Sequence, residues 1–130
     1  MARNNNFSAT FSQDAGDGAS GFSESSGTKS FLSGDAVKIE GSVLHTGATQ
    51  YSTASFGFAQ ADGIYFENRD SNNHIVLTLQ EAQSGSDLCA IKVAPNGVFC
   101  VRFDASQNAI THISIQGSVA TCNFVMCLAE

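Results

Sequence analysis

The chain has 130 residues, of which 42% are hydrophobic and 14% are charged, and its net charge is −6. That length is enough for one domain with a buried core, whereas the charged fraction lies well below the roughly 25% of an average soluble domain. The six Lys and Arg residues stand singly, which argues against the clustered cations of a nucleic-acid-binding surface. An acidic chain without an apolar run of about 20 residues also argues against a membrane partner.

Uncharged polar residues take the place of the missing charges. Ser, Thr, Asn, Gln and Gly are abundant along the chain, and such a polar but uncharged surface suits a protein that is assembled against neighbours. The first residues, 1–6, contain no apolar segment of a secretory signal. We therefore expect synthesis and folding in a cytoplasm.

Short segments that alternate apolar and polar residues with period two run along the chain, and this is the pattern of β-strands. Phe7, Ala9 and Phe11 predict a first strand, and residues 1–6 before it suit an N-terminal arm. Residues 14–30 are rich in Gly and Ser. They predict a long loop that becomes ordered against a partner.

Eight further strands are predicted from residue 36 onward, separated by turn residues. They cover residues 36–44, 52–60, 63–67, 74–80, 88–93, 98–103, 110–116 and 119–128. Gly117-Ser118 predicts a tight hairpin between the last two. This pattern predicts a single all-β domain over residues 1–130, a jelly-roll-like β-sandwich of about eight to nine short antiparallel strands. An immunoglobulin-like sandwich is the alternative.

The segment 94–97, Ala-Pro-Asn-Gly, predicts a tight turn, because Pro suits its second position and Asn-Gly its end. A hairpin closed there places Val93 opposite Val98 and Cys89 opposite Arg102. Both faces of this hairpin are then largely apolar, although a half-exposed sheet alternates apolar and polar residues. We therefore expect protein on both sides of the hairpin. We favour a subunit interface over loops that cover a central hairpin.

Four cysteines lie in the C-terminal third: Cys89, Cys100, Cys122 and Cys127. No pair has the Cys-x-x-Cys spacing of zinc and redox sites. In the predicted hairpin Cys89 and Cys100 are diagonal neighbours about 7–8 Å apart, which is too far for a disulfide. The four are either free, buried, small hydrophobic residues or candidates for disulfides between distant strands or subunits. Cys127 is the first candidate to reach another chain.

Residues for catalysis or metal binding do not form a recognisable pattern. His45, His74 and His112 are dispersed, and the chain has no Gly-x-Ser-x-Gly nucleophile motif and no His-x-His metal motif. Residues 14–18 lack the spaced carboxylates and closing Glu of a calcium loop. We therefore predict no catalytic residues, no cofactor and no metal ion, and a protein that is not an enzyme.

Two turn motifs lie between Gly63 and Phe103. An Asn-x-Asp-x-x-Asn turn leads into an Ile/Val strand, and a Pro-x-Gly turn follows later, with Phe99 and Arg102 on the strand after it. The turn residues are Asn68, Asp70, Asn73, Pro95 and Gly97. This stretch resembles small jelly-roll structural proteins of tailed bacteriophages, among them capsid decoration (cement) proteins. The cysteines and the segment 14–30 depart from the pattern of that family.

The resemblance implies a virion structural protein, in the first place a capsid decoration protein that stabilises the head by binding across subunits of the major capsid protein. It implies a homotrimer, made in the host cytoplasm and placed on the capsid surface, where disulfides between subunits persist. One alternative is another virion component, of the tail, neck or head fibre. The other is a carbohydrate-binding jelly roll, which would stack sugars on Tyr51, Tyr65 or exposed Phe residues.

Overall fold

The computed structural model describes residues 3–13, 21–33, 35–81, 87–104 and 109–130. The chain divides into two compact units, residues 1–34 and 35–130. The first unit contains strands β1 to β4, and the second contains β5 to β12 with one short 3-10 helix.

The first unit is a ribbon that is two strands wide and contains four described strands, which form two successive pairs. Its strands are β1 (Arg3–Phe7), β2 (Thr10–Gln13), β3 (Phe22–Ser25) and β4 (Lys29–Ser33). β1 pairs antiparallel with β4, and β2 pairs antiparallel with β3, so one pair is nested within the other. Between the pairs, the Ser26 N–H donates to the Ala9 carbonyl at 2.9 Å. We call residues 3–13 and 21–33 together the N-terminal ribbon.

The ribbon differs from the arm and the loop that the sequence predicts. β1 begins within the predicted arm of residues 1–6, while β3 and the start of β4 lie within the predicted loop of residues 14–30. The remaining predicted loop residues, 14–20, lie outside the described part of the chain. β3 escaped prediction because its sequence, Phe-Ser-Glu-Ser, holds a single large apolar residue. That the ribbon and the second unit form a single domain stays a prediction.

The second unit is a sandwich of eight strands. They are β5 (Ala36–Val43), β6 (Thr49–Ser52), β7 (Gly63–Asn68), β8 (Ile75–Gln80), β9 (Asp87–Val93), β10 (Val98–Arg102), β11 (His112–Gly117) and β12 (Cys122–Ala129). Sheet I has the strand order β10-β7-β12-β5, and sheet II has the order β6-β11-β8-β9, both antiparallel. Eight strands wound alternately into two such sheets form a jelly roll. The predicted all-β, jelly-roll-like sandwich is confirmed.

The core of the sandwich is formed by alternate residues of both sheets. In sheet II, Ile75, Leu77 and Ile113 are fully buried, and the residues between them in sequence face outward. In sheet I the rings of Phe66 and Phe124 stack at 5.8 Å between centroids. Burial of each such side chain contributes about 1.5–3 kcal/mol to the free energy of folding. Residues two apart in the sequence thus form the inward face of each strand.

The turn at residues 94–97 forms, but the hairpin predicted around it does not. The Gly97 N–H donates to the Ala94 carbonyl at 2.8 Å, and the turn takes the chain from β9 in sheet II to β10 in sheet I. Val93 lies opposite Ile75, and Val98 lies opposite Glu67. The predicted pairing of these two strands, with Cys89 and Cys100 as diagonal neighbours, is therefore wrong. Gly117-Ser118 likewise joins sheet II to sheet I instead of closing a hairpin.

The apolar character of both hairpin faces has a different origin from the predicted one. Ile91 packs against the core from sheet II, and Phe99 packs against it from sheet I. The outward residues Lys92 and Val98 are exposed. Each strand thus buries one side in the shared core, and the cover of the outward side by another subunit stays a prediction. Alternation shows which side of a strand is apolar, but it does not show which strand lies beside it.

Residues 52–60, predicted as one strand, contain the end of β6 and the 3-10 helix Thr53–Phe56. Gly57 has a φ of 83°, a left-handed conformation that glycine adopts without strain and that ends the helix. The Phe56 and Phe58 rings lie 6.3 Å apart, with Phe58 buried in the core. Packing on the core rather than strand pairing positions these two rings.

Candidate functional site

The turn residues singled out in the sequence meet at one corner of the sandwich, around the fully buried side chain of Asn68. Its Nδ2 donates to the carbonyl of Asn73 at 2.8 Å, and to those of Val93 and Ala94 at 3.1 and 3.0 Å. Its Oδ1 accepts a hydrogen bond from the Asp70 N–H at 3.0 Å. One amide thus satisfies backbone groups of both turns.

Asp70 organises the first of these turns and bonds to the second. Its Oδ1 accepts the N–H groups of Asn72 and Asn73 at 2.7 and 2.6 Å. These backbone hydrogen bonds hold the pKa of the Asp70 carboxyl below its usual range. The Asn96 N–H donates to the Asp70 carbonyl at 3.0 Å, and the Asn68 N–H donates to the Gly97 carbonyl at 2.9 Å. The corner therefore uses its polar groups to hold the chain together.

Three of the four strands of sheet II turn an uncharged, mostly polar surface outward, and the fourth, β9, adds Lys92 and Asp87 at the edge. The outward positions on the three adjacent strands β6, β11 and β8 are Gln50, Ser52, His112, Ser114, Gln116, Val76, Thr78 and Gln80. These three strands contain no Asp, Glu, Lys or Arg. The Gln50 Nε2 donates to the Gln80 Oε1 at 2.7 Å, and the Gln80 Nε2 donates to the Asp87 Oδ1 at 2.8 Å. These bonds fix the orientation of the two amides on the surface.

Sheet I turns a different face outward. The strand register places outward residues in three rows that cross β10, β7, β12 and β5 in that order, and Asn123 and Ser42 extend the face beyond them on β12 and β5. The acidic row is Val98, Glu67, Val125 and Glu40; the middle row is Cys100, Tyr65, Cys127 and Lys38; the small row is Arg102, Gly63, Ala129 and Ala36. The face therefore has thiols and an aromatic ring at its centre and charged groups around them.

Ion pairs surround the acidic row. The Glu40 carboxylate lies 2.7 Å from the Lys38 Nζ, and the Arg69 Nε lies 3.5 Å from the Glu67 carboxylate. The hydrogen bond to Lys38 lowers the pKa of Glu40, and the same bond raises the pKa of Lys38. These groups are largely exposed, so the pairs add little stability. Val125, between the two glutamates, is nevertheless only 3% exposed.

All four cysteines are free thiols in the structure. Cys122 is fully buried on the inner side of β12, and Cys89 is exposed on β9. Cys100 and Cys127 are half-buried on either side of Tyr65, two strands apart. That separation is about 9.6 Å, beyond the reach of a disulfide. Burial raises the pKa of both thiols. A disulfide between subunits stays a prediction.

The three histidines are divided between the two ends of β11: His112 begins the strand, whereas His45 and His74 lie beside its last residues. The His45 carbonyl accepts from the Gln116 side chain, the His74 carbonyl accepts from the Ser118 N–H, and the His112 ring contacts Thr111. Within the described ranges, no group of three or more His, Cys, Asp or Glu side chains is arranged to hold a metal ion. The same ranges contain no helix with the length and apolar character of a membrane span.

No protein-family model matches the chain, and no curated protein matches it. One solved structure that it resembles belongs to endospore appendages of Bacillus, described as a novel family of disulfide-linked pili. The two are 17% identical, the alignment covers 74% of this chain and 84% of that chain, and the TM-score is 0.49. A likeness at this level says nothing about what this chain does.

Proposed function

We propose that the protein is a structural subunit of a phage virion, specifically a capsid decoration protein that binds across subunits of the major capsid protein and stabilises the head. The observation that carries the proposal is the uncharged outer surface of three strands of sheet II, β6, β11 and β8. The centres of protein–protein interfaces are depleted of charged residues, and three adjacent strands here have none. The scarcity of charged residues in the chain is thus most marked on this one surface.

The groups on this face suit a hydrogen-bonded contact with protein. Amides and hydroxyls both donate and accept, and Gln50 and Gln80 are held in place before binding by the bonds that link them to Asp87. Side chains that are already ordered lose less entropy when a partner binds. The resemblance of the 68–73 and 95–97 turns to those of phage jelly-roll proteins supports a virion partner.

Binding to capsids tests the proposal directly. Virions that carry the protein are stripped of it, and wild-type protein is added back and sedimented with the particles. Thr78→Lys and Ser114→Lys each place a charge at the centre of the sheet II face, because these residues lie opposite each other in the register. Each is expected to weaken capsid binding at least tenfold, about 1.4 kcal/mol.

The matched control is Ser42→Lys, which adds the same charge at an exposed position of β5 in the other sheet. It is expected to bind as the wild type does, and thermal melting verifies that all three variants fold. Wild-type protein that does not sediment with capsids would refute the decoration role. Lysine variants that bind as the wild type does would show that the capsid contact does not lie on this face of sheet II.

Electron microscopy of labelled protein on intact virions distinguishes the head from the tail, neck or head fibre, which are the alternative locations. Light scattering tests the proposed homotrimer. For the carbohydrate-binding alternative, Tyr51 is a poor platform, because its ring packs on Phe56 and Phe124 at 6.5 and 6.3 Å. Tyr65 lies on the outer face of sheet I, where its hydroxyl donates to Glu67. A glycan array that gives no signal argues against that alternative.

A further inference from the structure

We infer that the outer face of sheet I binds the same face of a second copy of this chain, across a two-fold axis that runs along the middle row. The inference extends the proposed function, because it gives the structural subunit a surface for self-association. It is carried by the three rows of the face. The acidic row and the small row differ in side-chain size and in charge, so that the acidic row of one copy is complementary to the small row of another.

Side-chain size is the first argument. A two-fold axis along the middle row places the acidic row of each copy over the small row of the other. Glu67 then lies over Gly63 of the second copy, and Val125 and Glu40 each lie over an alanine, as the shared register requires. Glu40 and Ala36 are both exposed and can meet directly, whereas Val125, Ala129 and Gly63 are already buried among their own neighbours and form the low parts of the face. Fitting a large side chain over a low part of the face is what close sheet packing needs.

Charge is the second argument. The acidic row holds two carboxylates, whereas the small row holds the exposed guanidinium group of Arg102. In the two-fold arrangement Arg102 lies on the strand next to the one that presents Glu67 of the second copy. Opposite charges therefore approach each other on both sides of the axis. Because the contact is isologous, each pair of opposite charges occurs twice, once on each side of the axis.

The direction of the axis follows from the same rows. An axis parallel to the strands would superpose each row on itself, so that Glu67 meets Val125 while Gly63 meets Ala129. The bulky row would then hold the small rows apart and leave a gap between them. The axis along the middle row removes this mismatch, and it is the arrangement that we assign.

Along this axis each middle-row residue meets its own counterpart. Tyr65, Cys100 and Cys127 are half-buried in the single chain, and they come to lie at the centre of the contact. Lys38 lies at the end of the row on the edge strand β5, where its ammonium group stays 60% exposed beside Glu40. The two lysines therefore meet in solvent, paired with carboxylates of their own chains.

The solution mass of matched variants tests the surface. Wild-type protein is expected to have a mass that is an even multiple of 13.6 kDa, because a trimer that also makes this contact is a hexamer. Ala36→Glu places a carboxylate over Glu40 of the second copy and is expected to weaken association at least tenfold. Ala36→Arg places a cation there and is expected to preserve it. Ala90→Glu, exposed on sheet II, controls for added charge.

The native cysteines test the axis. A bismaleimide with a short spacer joins two thiols that face each other across the roughly 10 Å between stacked sheets, because each thiol adds across one maleimide double bond and no group leaves. Peptide mapping is expected to find Cys127 linked to Cys127 and Cys100 linked to Cys100, with Cys89→Ser as a control that leaves these links intact. Cross-links of Cys100 to Cys127 between two chains, or cross-links between chains through Cys89 alone, would overturn the assigned geometry.

Two further results would overturn the surface itself: a wild-type mass of 13.6 kDa at every concentration, or Ala36→Glu protein that associates as the wild type does. Capsid sedimentation of the same variants separates this inference from the proposed function. A chain that binds capsids but does not self-associate through sheet I refutes the inference alone. A chain that self-associates but does not bind capsids refutes the decoration role alone.

Discussion

One corner of the sandwich depends on a single polar side chain, that of Asn68. It is fully buried, and its amide joins backbone groups of residues 70, 73, 93 and 94. A buried carbonyl or N–H that loses its partner costs about 1–3 kcal/mol. The corner therefore depends on one residue for several bonds at once.

Asn68→Ala is expected to lower the free energy of unfolding by about 3 kcal/mol, because it removes the partner of one buried backbone group, the Val93 carbonyl, and of three partly buried ones. Asn72→Ala is the control, since Asn72 is exposed and its side chain donates to the neighbouring Ser71 hydroxyl at 3.2 Å. Urea unfolding at pH 7 measures both changes. Equal losses in the two variants would show that the buried amide has no special role.

The carboxyl group of Asp70 gives the corner a dependence on pH. Its pKa is lower in the folded chain than the usual value near 3.8, so its contribution to stability is complete above that value and is lost as the pH falls through the folded pKa. Asp70→Asn is expected to melt below the wild type at pH 7, and the difference in Tm is expected to shrink below about pH 4. The other carboxyl groups titrate in both proteins, so a difference that stays constant down to pH 2.5 would contradict this expectation.

Among the elements, the turn of residues 94–97 requires glycine at its last position, because the backbone of the turn comes close to the Gly97 Cα. A Cβ added at Gly97 would lie 2.8 Å from the Ala94 carbonyl oxygen and 3.2 Å from a Val93 methyl group. The turn that changes sheets here leaves no room for a side chain. Gly97 is thus required by contact distance.

Gly97→Ala is expected to cost about 1–3 kcal/mol, the usual price of overpacking. Gly47→Ala offers a matched control, because a Cβ at Gly47 meets no atom within 4 Å, and its effect is expected to stay within about 0.5 kcal/mol. Thermal melting compares the two variants. Similar melting temperatures would show that the turn can shift without loss.

Strand positions were predictable where alternation is strong and turn residues border it. β7 and β9 begin within one residue of their predicted starts, at Gly63 and Asp87. The prediction of a strand over 52–60 was wrong because two phenylalanines two residues apart mimic alternation around Gly57. β3 went unpredicted because it holds one large apolar residue, and β4 went unpredicted because its two, Phe31 and Leu32, are adjacent and do not alternate.

At the scale of the whole molecule, the ribbon and the sandwich differ in the support that each strand receives. Every described ribbon strand pairs with one other strand, and an isolated two-stranded hairpin is at best marginally stable in water. In the sandwich, β7, β12, β11 and β8 are each paired on both sides. The two units should therefore open at different free energies.

Hydrogen exchange measures this difference. Backbone amides of β1 to β4 are expected to exchange at least a hundredfold faster than those of the four central sandwich strands, since they open without unfolding the core. The purified chain at pH 7 is the sample, and peptides from the edge strand β6 provide an intermediate reference. Ribbon amides that are protected as well as those of β12 would contradict the expectation.

The candidate surfaces were less predictable than the strands. Alternation indicates that Tyr65, Cys100 and Cys127 share the outward side of their strands, but it gives no strand order. Tyr65 lies between the two cysteines because β7 lies between β10 and β12, and these strands are far apart in the sequence. The corner was easier to predict, because the residues that form a turn are neighbours in the sequence. Only the contact between its two turns could not be predicted without knowing the fold.

The place of β12 in sheet I affects the time at which the protein can fold. The last strand of the chain lies between β5 and β7, so sheet I is divided until residues 122–129 have left the ribosome. Contacts between distant parts of a chain form slowly, and here the earliest sandwich strand must wait for the latest one. The edges of β5 and β7 that pair with β12 therefore stay open to chaperones, or to a neighbouring nascent chain, until β12 has emerged.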